Sequence, residues 1–302
     1  MSEVNIFPQS EIAKMFARVD EAQMDASGVR RKFLNCPYGE DKRQALDIYL
    51  PNEGDGSFPA VLFLHGGGWS GGSRADKQAA PFMHGLSRGY AVVTVGYRLA
   101  PRIKYPENLF DVKSALRWLR ENADTYLIDP ERVAIAGASA GAHLALMAAF
   151  TQGVAVFEGA PLGSTCKIRA VVDQFGPTDF LKSDAQFEES GYPRMAPPPP
   201  GELTGAEVMF GAAQEAVPNL VRFMNPIDNV HPDVPPVLLQ HGRYDPVVPY
   251  RQSAALFEKI SGVADEKRAV LDLYEDFLHA DPGFSGEESV GRIFAFLDAH
   301  VK

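Results

Sequence analysis

The sequence predicts an α/β protein with a mostly parallel, doubly wound sheet covered by helices on both faces. Short apolar runs alternate along the chain with longer stretches in which apolar residues recur every three or four positions. Continuously apolar runs are typical of strands buried on both faces, and the wider spacing is typical of amphipathic helices. Because the two patterns alternate, we expect helices to connect parallel strands and to cover both sides of one sheet.

The predicted elements follow from these patterns. Buried strands are expected at 60–64, 91–95, 132–136, 170–174, 236–240 and 269–274. Residues 44–50 alternate as an antiparallel edge strand does, with 31–34 as the candidate partner. Helices are expected at 76–88, 109–122, 140–150, 250–260 and 289–300. Together these elements predict a single domain that spans residues 1–302.

Two segments do not fit the alternation. In residues 1–30, apolar side chains at helical spacing predict a helical arm, which either packs on the body or shapes a pocket; these side chains are Ile12, Met15, Phe16 and Val19. Residues 180–229 are polar, rich in Gly and Pro, and include the proline run 197–200. A long irregular stretch inside a compact α/β domain is usually functional or disordered, so we expect a cap or lid insertion.

The composition excludes several classes of function. The chain has 302 residues, with 29 Lys and Arg against 39 Asp and Glu, which gives a net charge of −10. This charge argues against nucleic acid or an anionic membrane as a partner. Two cysteines are too few for a disulfide scaffold. The N-terminus lacks the pattern of a secretory signal, and the apolar runs are too short to cross a membrane. We expect a cytoplasmic protein whose oligomeric state the sequence leaves open.

The sharpest motif is a serine between two glycines. The run Val-Ala-Ile-Ala-Gly137-Ala-Ser139-Ala-Gly141 reads as a strand, a tight turn and the start of a helix. A serine on such a turn needs very small residues two positions to either side, because larger side chains would clash. The turn would expose the serine Oγ at the carboxyl end of the sheet, beside a helix N-terminus that favours negative charge. Ser139 is the predicted nucleophile.

A glycine-rich loop directly follows an earlier strand, in the run Leu64-His65-Gly-Gly67-Gly68-Trp69. Glycines let backbone N–H groups converge on an oxyanion, and we predict Gly67 and Gly68 as donors, together with Ala140. A phosphate loop would end in Gly-Lys-Ser or Gly-Lys-Thr, which is absent from this run. Trp69 is a candidate for the wall of the substrate pocket or, alternatively, for the core.

A nucleophilic serine needs a base, which in this architecture follows the acid in the chain. The histidines are His65, His84, His143, His231, His241, His279 and His300. His279 follows the last predicted strand and is the predicted base. His143 is four residues after the serine on the same helix, so it cannot readily reach the Oγ. His241 is close to the predicted acid, but we expect a structural role for it.

The acid should follow the preceding strand, and Asp245 does so in a loop that Pro246 and Pro249 constrain. The alternatives, interpreted as surface or loop-capping carboxylates, are Asp173, Asp179 and Asp281. The sequence contains neither a His-Glu-x-x-His run nor a paired cysteine motif, so no metal and no cofactor are predicted.

These blocks resemble the α/β-hydrolase esterase/lipase superfamily over about residues 45–285. His-Gly-Gly-Gly-Trp and Ser-Ala-Gly-Ala-His-Leu are most similar to bacterial carbohydrate acetyl and feruloyl esterases. The Tyr-Arg-Leu-Ala-Pro segment at 97–101 is similar to hormone-sensitive-lipase-like esterases. The resemblance implies the α/β-hydrolase fold and the roles already assigned to Ser139, Asp245 and His279. One departure is Ala280, at a position where many relatives have glycine.

The predicted activity is hydrolysis of a small carboxylic ester with a short-chain or aromatic acyl group, on an alcohol that could be a sugar. The first alternative is an amidase that uses the same residues on an N-formyl aromatic amide, since arylformamidases carry a run similar to residues 139–144. A second alternative is a catalytically silent hydrolase fold that serves as a binding module. The intact set of serine, acid and histidine argues against the silent fold.

Overall fold

The computed structural model describes residues 6–8, 10–11, 14, 23–159 and 163–302. The four apolar positions of the predicted arm, namely Ile12, Met15, Phe16 and Val19, lie outside these residues. One sheet of eight strands has the order β1-β2-β4-β3-β5-β6-β7-β8. The strands are β1 Lys32–Pro37, β2 Ala45–Tyr49, β3 Phe58–Leu64, β4 Ala91–Val95, β5 Ile128–Ala138, β6 Ile168–Gln174, β7 Val237–Gly242 and β8 Ala269–Tyr274. Strands β3 to β8 are parallel, whereas β2 runs antiparallel to both β1 and β4.

Helices cover both faces of the sheet. The helices are α1 Ala80–Met83, α2 Glu107–Glu121, α3 Ala140–Phe150, α4 Ala155–Glu158, α5 Ser183–Ser190, α6 Gly205–Phe210, α7 Pro218–Met224, α8 Arg251–Val263 and α9 Glu287–His300. Apolar side chains of α2, α3 and α8 pack on one face, and those of α1 and α9 pack on the other. The doubly wound, mostly parallel sheet predicted from the sequence is therefore confirmed.

The prediction of 44–50 as an edge strand is wrong. Strand β2 lies between β1 and β4, and all five of its residues are buried. Asp47 is the polar residue of β2, and in the sequence its polarity suggests a position that faces solvent. In the fold, its carboxylate has hydrogen-bond and ion-pair partners inside the protein. The Asp47 carboxylate accepts the N–H of Asn35 at 2.6 Å and pairs with Arg74 at 3.0 Å. The predicted partner of β2 is correct, because β1 pairs with it in the antiparallel direction. Strand β1 forms the edge of the sheet.

Two predictions of local structure also need correction. Residues 76–88 do not form one helix: the four-residue α1 is flanked by 3₁₀ turns at Lys77–Ala79 and Leu86–Arg88. Gly85, in this segment, has a helical backbone with φ −62° and ψ −30°, and a Cβ there would lie 3.1 Å from the ring of Phe294 on α9. The insertion at 180–229 is largely helical rather than irregular, since it contains α5, α6 and α7. Its longest stretch without a helix is 191–204, which includes the proline run.

The insertion contacts loops at the carboxyl end of the sheet. The N–H of Met195 donates to the carbonyl of Pro246, at 2.6 Å, in the loop after β7. At the start of α6, a Cβ on Gly205 would lie 3.5 Å from the carbonyl oxygen of Gly68, in the loop after β3. The segment between these contacts therefore spans two of the loops that carry predicted site residues.

No helix within the described ranges combines the length and the apolar character that crossing a membrane requires.

The packing of α3 against the sheet requires glycine at two positions. A Cβ on Gly141 would lie 2.1 Å from the carbonyl oxygen of Leu64, and a Cβ on Gly137 would lie 2.3 Å from the backbone of Gly141. Both obstacles are backbone atoms, so a side chain could be accommodated only if a strand or the helix moved. The two glycines therefore bring the start of α3 into contact with the ends of β3 and β5.

We predict that Gly141→Ala lowers the free energy of unfolding by at least about 2 kcal/mol, because its methyl group would overlap the backbone of β3. Urea denaturation followed by circular dichroism measures the change. Gly291→Ala is the matched control: Gly291 lies on the exposed side of α9, where a Cβ would meet nothing within 4 Å. This control should raise stability by roughly 0.5–1 kcal/mol, through helix propensity. Wild-type stability in Gly141→Ala would contradict the packing argument.

Candidate active site

The carboxyl ends of four parallel strands bring the predicted site residues together. Ser139 directly follows β5, and the glycine loop follows β3. Asp245 lies in the loop after β7, and His279 lies in the loop after β8. In open α/β sheets, ligands bind at this edge because the loops there converge above the strand ends.

Ser139 occupies a strained turn between β5 and α3. Its backbone has φ 53° and ψ −120°, a conformation that side chains rarely adopt. The Ser139 N–H donates to the carbonyl of Gln174 at 2.8 Å, which fastens the turn to the end of β6. Helix α3 begins at the next residue, so its positive N-terminal dipole lies beside the serine Oγ.

A continuous hydrogen-bonded chain links the serine to the carboxylate. The Ser139 hydroxyl donates to Nε2 of His279 at 2.9 Å, and the Nδ1–H of His279 donates to Oδ2 of Asp245 at 2.7 Å. The ring of Phe175 packs edge-on against the His279 ring, with centroids 4.8 Å apart. The serine, histidine and aspartate singled out in the sequence therefore lie in direct contact, in the geometry that lets an imidazole accept the serine proton.

The Asp245 carboxylate is buried and densely hydrogen-bonded. Its Oδ1 accepts the N–H groups of Val247 and Val248, at 2.8 and 2.9 Å. Burial alone would raise the pKa of Asp245, but the neighbouring His279 and His241 outweigh it and hold this pKa well below its usual range. The carboxylate is therefore ionised at any pH at which the folded protein would work.

The glycine loop lies directly against the nucleophile turn. A Cβ on Gly66 would lie 3.3 Å from the Cβ of Ser139. Gly67 and Gly68 have φ values of 110° and 57°, a region that glycine enters without strain. The N–H groups of Gly67, Gly68 and Ala140 donate to none of the described residues. These three donors are available to an anion.

Trp69 lies beneath this loop rather than on an open wall. Its side chain is 5% exposed and packs on His143 and Phe180. The Trp69 indole N–H donates to Nδ1 of His143 at 3.3 Å, and the Nε2–H of His143 donates to the carbonyl of Met224 at 2.9 Å. Burial lowers the pKa of His143 to about 4, although the Met224 carbonyl opposes this shift. His143 thus remains neutral and ties the glycine loop to α7 of the insertion.

The alternative acids are separate from this chain of hydrogen bonds. Asp281 caps a 3₁₀ turn by accepting the N–H of Gly283 at 2.8 Å. Asp179 is bound by the side chain of Asn225 at 3.2 Å. Asp173 is not a surface carboxylate, because it lies fully buried on β6, but it does cap the next loop by accepting the N–H of Gly176 at 2.7 Å. Burial raises its pKa to about 6, against the opposing N–H of Gly176 and the nearby His241.

Backbone strain concentrates at the site. Among the described residues, seven non-glycine residues have positive φ, and four of them adjoin the site: Trp69, Ser139, Phe175 and Ala280. Phe175 carries no sequence signal for this conformation. Ala280 does, because it directly follows the histidine at a position where glycine is usual. Its φ of 53° supplies the physical reason for that glycine.

A small cavity adjoins the site at Ala280, and another lies apart from it. Within the described ranges, no three His, Cys, Asp or Glu side chains are arranged to hold a metal ion. A cavity of about 750 Å³ lies near Leu50, Met83 and His84, at the amino ends of the parallel strands. That cavity is on the opposite edge of the sheet from Ser139.

The fold and this arrangement define an α/β-hydrolase of the esterase/lipase superfamily. The chain belongs to the BD-FAE family, whose model matches residues 46–260. Among curated proteins, it is similar to esterase LipC of Mycobacterium tuberculosis, with 30% identity over 81% of this chain. It is also similar to LipM of the same organism, a probable carboxylic ester hydrolase, with 30% identity over 78% of this chain. The chain spans only 58% and 53% of these two relatives.

Among solved structures, the fold is similar to a truncated carbohydrate esterase from gut microbiota. The TM-score is 0.79 and the sequence identity is 28%. The similarity covers 92% of this chain and 99% of that one.

We predict that Ala280→Gly raises the free energy of unfolding by up to about 1 kcal/mol. Alanine in the left-handed region costs about 1–2 kcal/mol, and glycine adopts the same backbone conformation without that cost. The greater conformational entropy of glycine in the unfolded chain partly cancels this gain. The change is measured by urea denaturation. Ala255→Gly, in the interior of α8, is the control and should instead lose about 1 kcal/mol. A loss of stability in both variants would show that the backbone at position 280 is not strained.

We predict that Asp173→Asn is more stable than the wild type at neutral pH but not at pH 4. In the wild type, the Asp173 pKa of about 6 lies above the pKa of an aspartate in the unfolded chain. The wild type is therefore most stable at low pH, and it loses stability as the pH rises toward 6. The asparagine variant carries no charge to bury, and its Oδ1 can still accept the Gly176 N–H. The difference in unfolding free energy should grow between pH 4 and 6 and level off at about 2–3 kcal/mol. A difference that is constant from pH 4 to 8 would contradict the burial of a charge.

Proposed function

We propose that this protein is a serine carboxylic-ester hydrolase that cleaves short-chain or aromatic acyl esters through an acyl-enzyme. The observation that carries the proposal is the hydrogen-bonded chain from Ser139 through His279 to the buried Asp245. Similarity to proteins named as esterases and to a carbohydrate esterase supports an ester substrate. An acetyl or feruloyl group on a carbohydrate alcohol is the substrate class that we propose.

In the proposed reaction, the Ser139 Oγ attacks the acyl carbonyl while His279 accepts the hydroxyl proton through Nε2. The carbonyl oxygen becomes an oxyanion, which the N–H groups of Gly67, Gly68 and Ala140 stabilise. His279 then passes the proton to the departing alcohol, and the ester C–O bond breaks to leave acyl-Ser139. Water, deprotonated by His279, releases the acid by the same steps in reverse. Asp245 remains ionised and stabilises the transient imidazolium.

The insertion supplies the other boundary of the proposed substrate site. Its segment from Met195 to Gly205 reaches from the loop of the acid to the glycine loop. The substrate would therefore enter between this segment and Ser139. Trp69 and Phe180 are both buried beneath the loop, where they form an aromatic floor. A compact acyl group fits this arrangement better than a long chain, which would need an open apolar entrance.

The alternative activity, hydrolysis of an N-formyl aromatic amide, would use the same residues and differ only in the leaving group. The resemblance of residues 139–144 to arylformamidases is the observation that favours it. Turnover of an acetyl ester, a feruloyl ester and N-formylkynurenine, measured side by side, separates the two activities. Cleavage of the formamide alone would leave the mechanism standing and overturn the ester substrate.

We predict that Ser139→Ala lowers kcat for the preferred ester by at least about 10⁴-fold, because the nucleophile is removed while binding groups remain. The matched control is Ser87→Ala, an exposed serine outside the site, which should retain wild-type turnover. A fluorophosphonate should add its mass to the wild type and to the control, but not to Ser139→Ala. Equal turnover in all three proteins would remove Ser139 as the nucleophile. An unlabelled wild type would favour a silent binding module.

A further inference from the structure

A second imidazole contacts the carboxylate that holds His279. His241 lies near the end of β7, four residues before Asp245, and its side chain is fully buried. Its Nε2 lies 3.2 Å from Oδ2 of Asp245, the same oxygen that accepts the His279 Nδ1–H at 2.7 Å. Two imidazoles therefore converge on one carboxylate oxygen, and the proposed mechanism uses only one of them.

The other partners of His241 determine where its proton lies. Nε2 is also 3.0 Å from the carbonyl oxygen of Val248, which can only accept a hydrogen bond. Nε2 therefore carries a hydrogen, and it shares that hydrogen between Val248 and Asp245. In the neutral ring, Nδ1 is then an acceptor, and the hydroxyl of Ser253 on α8 donates to it at 2.7 Å. Both ring nitrogens are satisfied, in one tautomer.

From this geometry we propose that His241 is a positioning residue, which orients the Asp245 carboxylate and moderates the charge that it presents to His279. The inference rests on the proposed function, because it concerns the proton that His279 would accept from Ser139. Hydrogen bonds to an ionised carboxylate are stronger than neutral ones, and each donor withdraws negative charge from the oxygen. The His241 N–H thus weakens the hold of Oδ2 on the proton of His279.

Without that donor, Oδ2 would concentrate its charge on His279 and stabilise the imidazolium. The base would then stay protonated, and therefore inactive, up to a higher pH. A purely structural role, in which His241 joins the end of β7 to α8 through Ser253, would not change this proton affinity. The pH dependence of the acylation step therefore distinguishes positioning from simple support.

The charged groups around the ring define the necessary controls. Asp245 lies in the loop after β7, and His279 faces it from the loop after β8. Asp173 on β6 pairs in register with Leu239, which lies two residues before His241 on β7. The side chains of Asp173 and His241 therefore lie on the same face of the sheet. Because the pKa of Asp173 is raised to about 6, its own titration falls in the pH range of the experiment.

The experiment measures kcat/KM for p-nitrophenyl acetate from pH 4.5 to 8, for wild type and three variants. The acid limb of this pH profile is the range in which kcat/KM falls as the pH is lowered. His241→Leu removes the donor, and this acid limb should move up by roughly half a pH unit or more. His241→Gln keeps an N–H near the position of Nε2, and its limb should stay within about 0.2 unit of wild type. Ser253→Ala removes the hydroxyl that polarises the ring, so it should move the limb in the same direction by less.

Rates are expressed per active site, counted by fluorophosphonate labelling, so that partial unfolding does not affect the comparison. An unmoved acid limb in His241→Leu, or an equal shift in His241→Leu and His241→Gln, would overturn the proposal. If His241→Leu does not fold, Ser253→Ala decides, and an unmoved limb in that variant overturns the proposal.

Two further arms separate the remaining explanations. In the Asp173→Asn background, the shift caused by His241→Leu should persist, and its disappearance would assign the moved limb to Asp173 and overturn the proposal. Wild-type protein that fluorophosphonate does not label would refute the proposed function itself. Labelled wild type with no shift in any variant would refute the role of His241 and leave ester hydrolysis standing.

Discussion

The site depends on how closely the start of α3 approaches the ends of β3 and β5. Glycines at 137 and 141 allow this contact, because a Cβ at either position would overlap backbone atoms. The approach forces Ser139 into a strained turn, beside the helix N-terminus and against the glycine loop. The surrounding sheet holds that strain, through the hydrogen bond from Ser139 to the end of β6. The proposed nucleophile and the proposed anion donors are therefore consequences of one packing constraint.

A second constraint is electrostatic. Asp245 is buried, yet its carboxylate stays ionised because two backbone N–H groups and two imidazoles donate to it. His143 and Asp173 show the opposite effect of burial, since the pKa of the histidine is lowered and that of the aspartate is raised. The same buried edge thus keeps one carboxylate charged and shifts other groups toward their neutral forms. The two carboxylates differ in the number of donors, since Asp245 has these four and Asp173 has the N–H of Gly176.

The insertion belongs to the site because it contacts the loops that carry it. Met195 is bonded to the loop of Asp245, and His143 bonds both Trp69 and the carbonyl of Met224. The proline run lies between the two ends of this span and has no regular structure. His143 therefore joins the glycine loop to α7 of the insertion.

The local sequence determined the strands of the parallel sheet, the serine turn and the glycine loop, because strand periodicity and close packing leave direct marks on neighbouring residues. The break within 76–88 and the helices of the insertion were missed, since polar and glycine-rich segments do not specify how they pack. Only the tertiary structure decided that β2 is internal and that Trp69 lies beneath the loop. Both depend on atoms contributed by distant parts of the chain, and contacts of that kind leave no periodic signal in a single sequence. Only the structure placed the His241 ring against Asp245, because that contact depends on the conformation of the loop after β7 and not on the four-residue spacing alone.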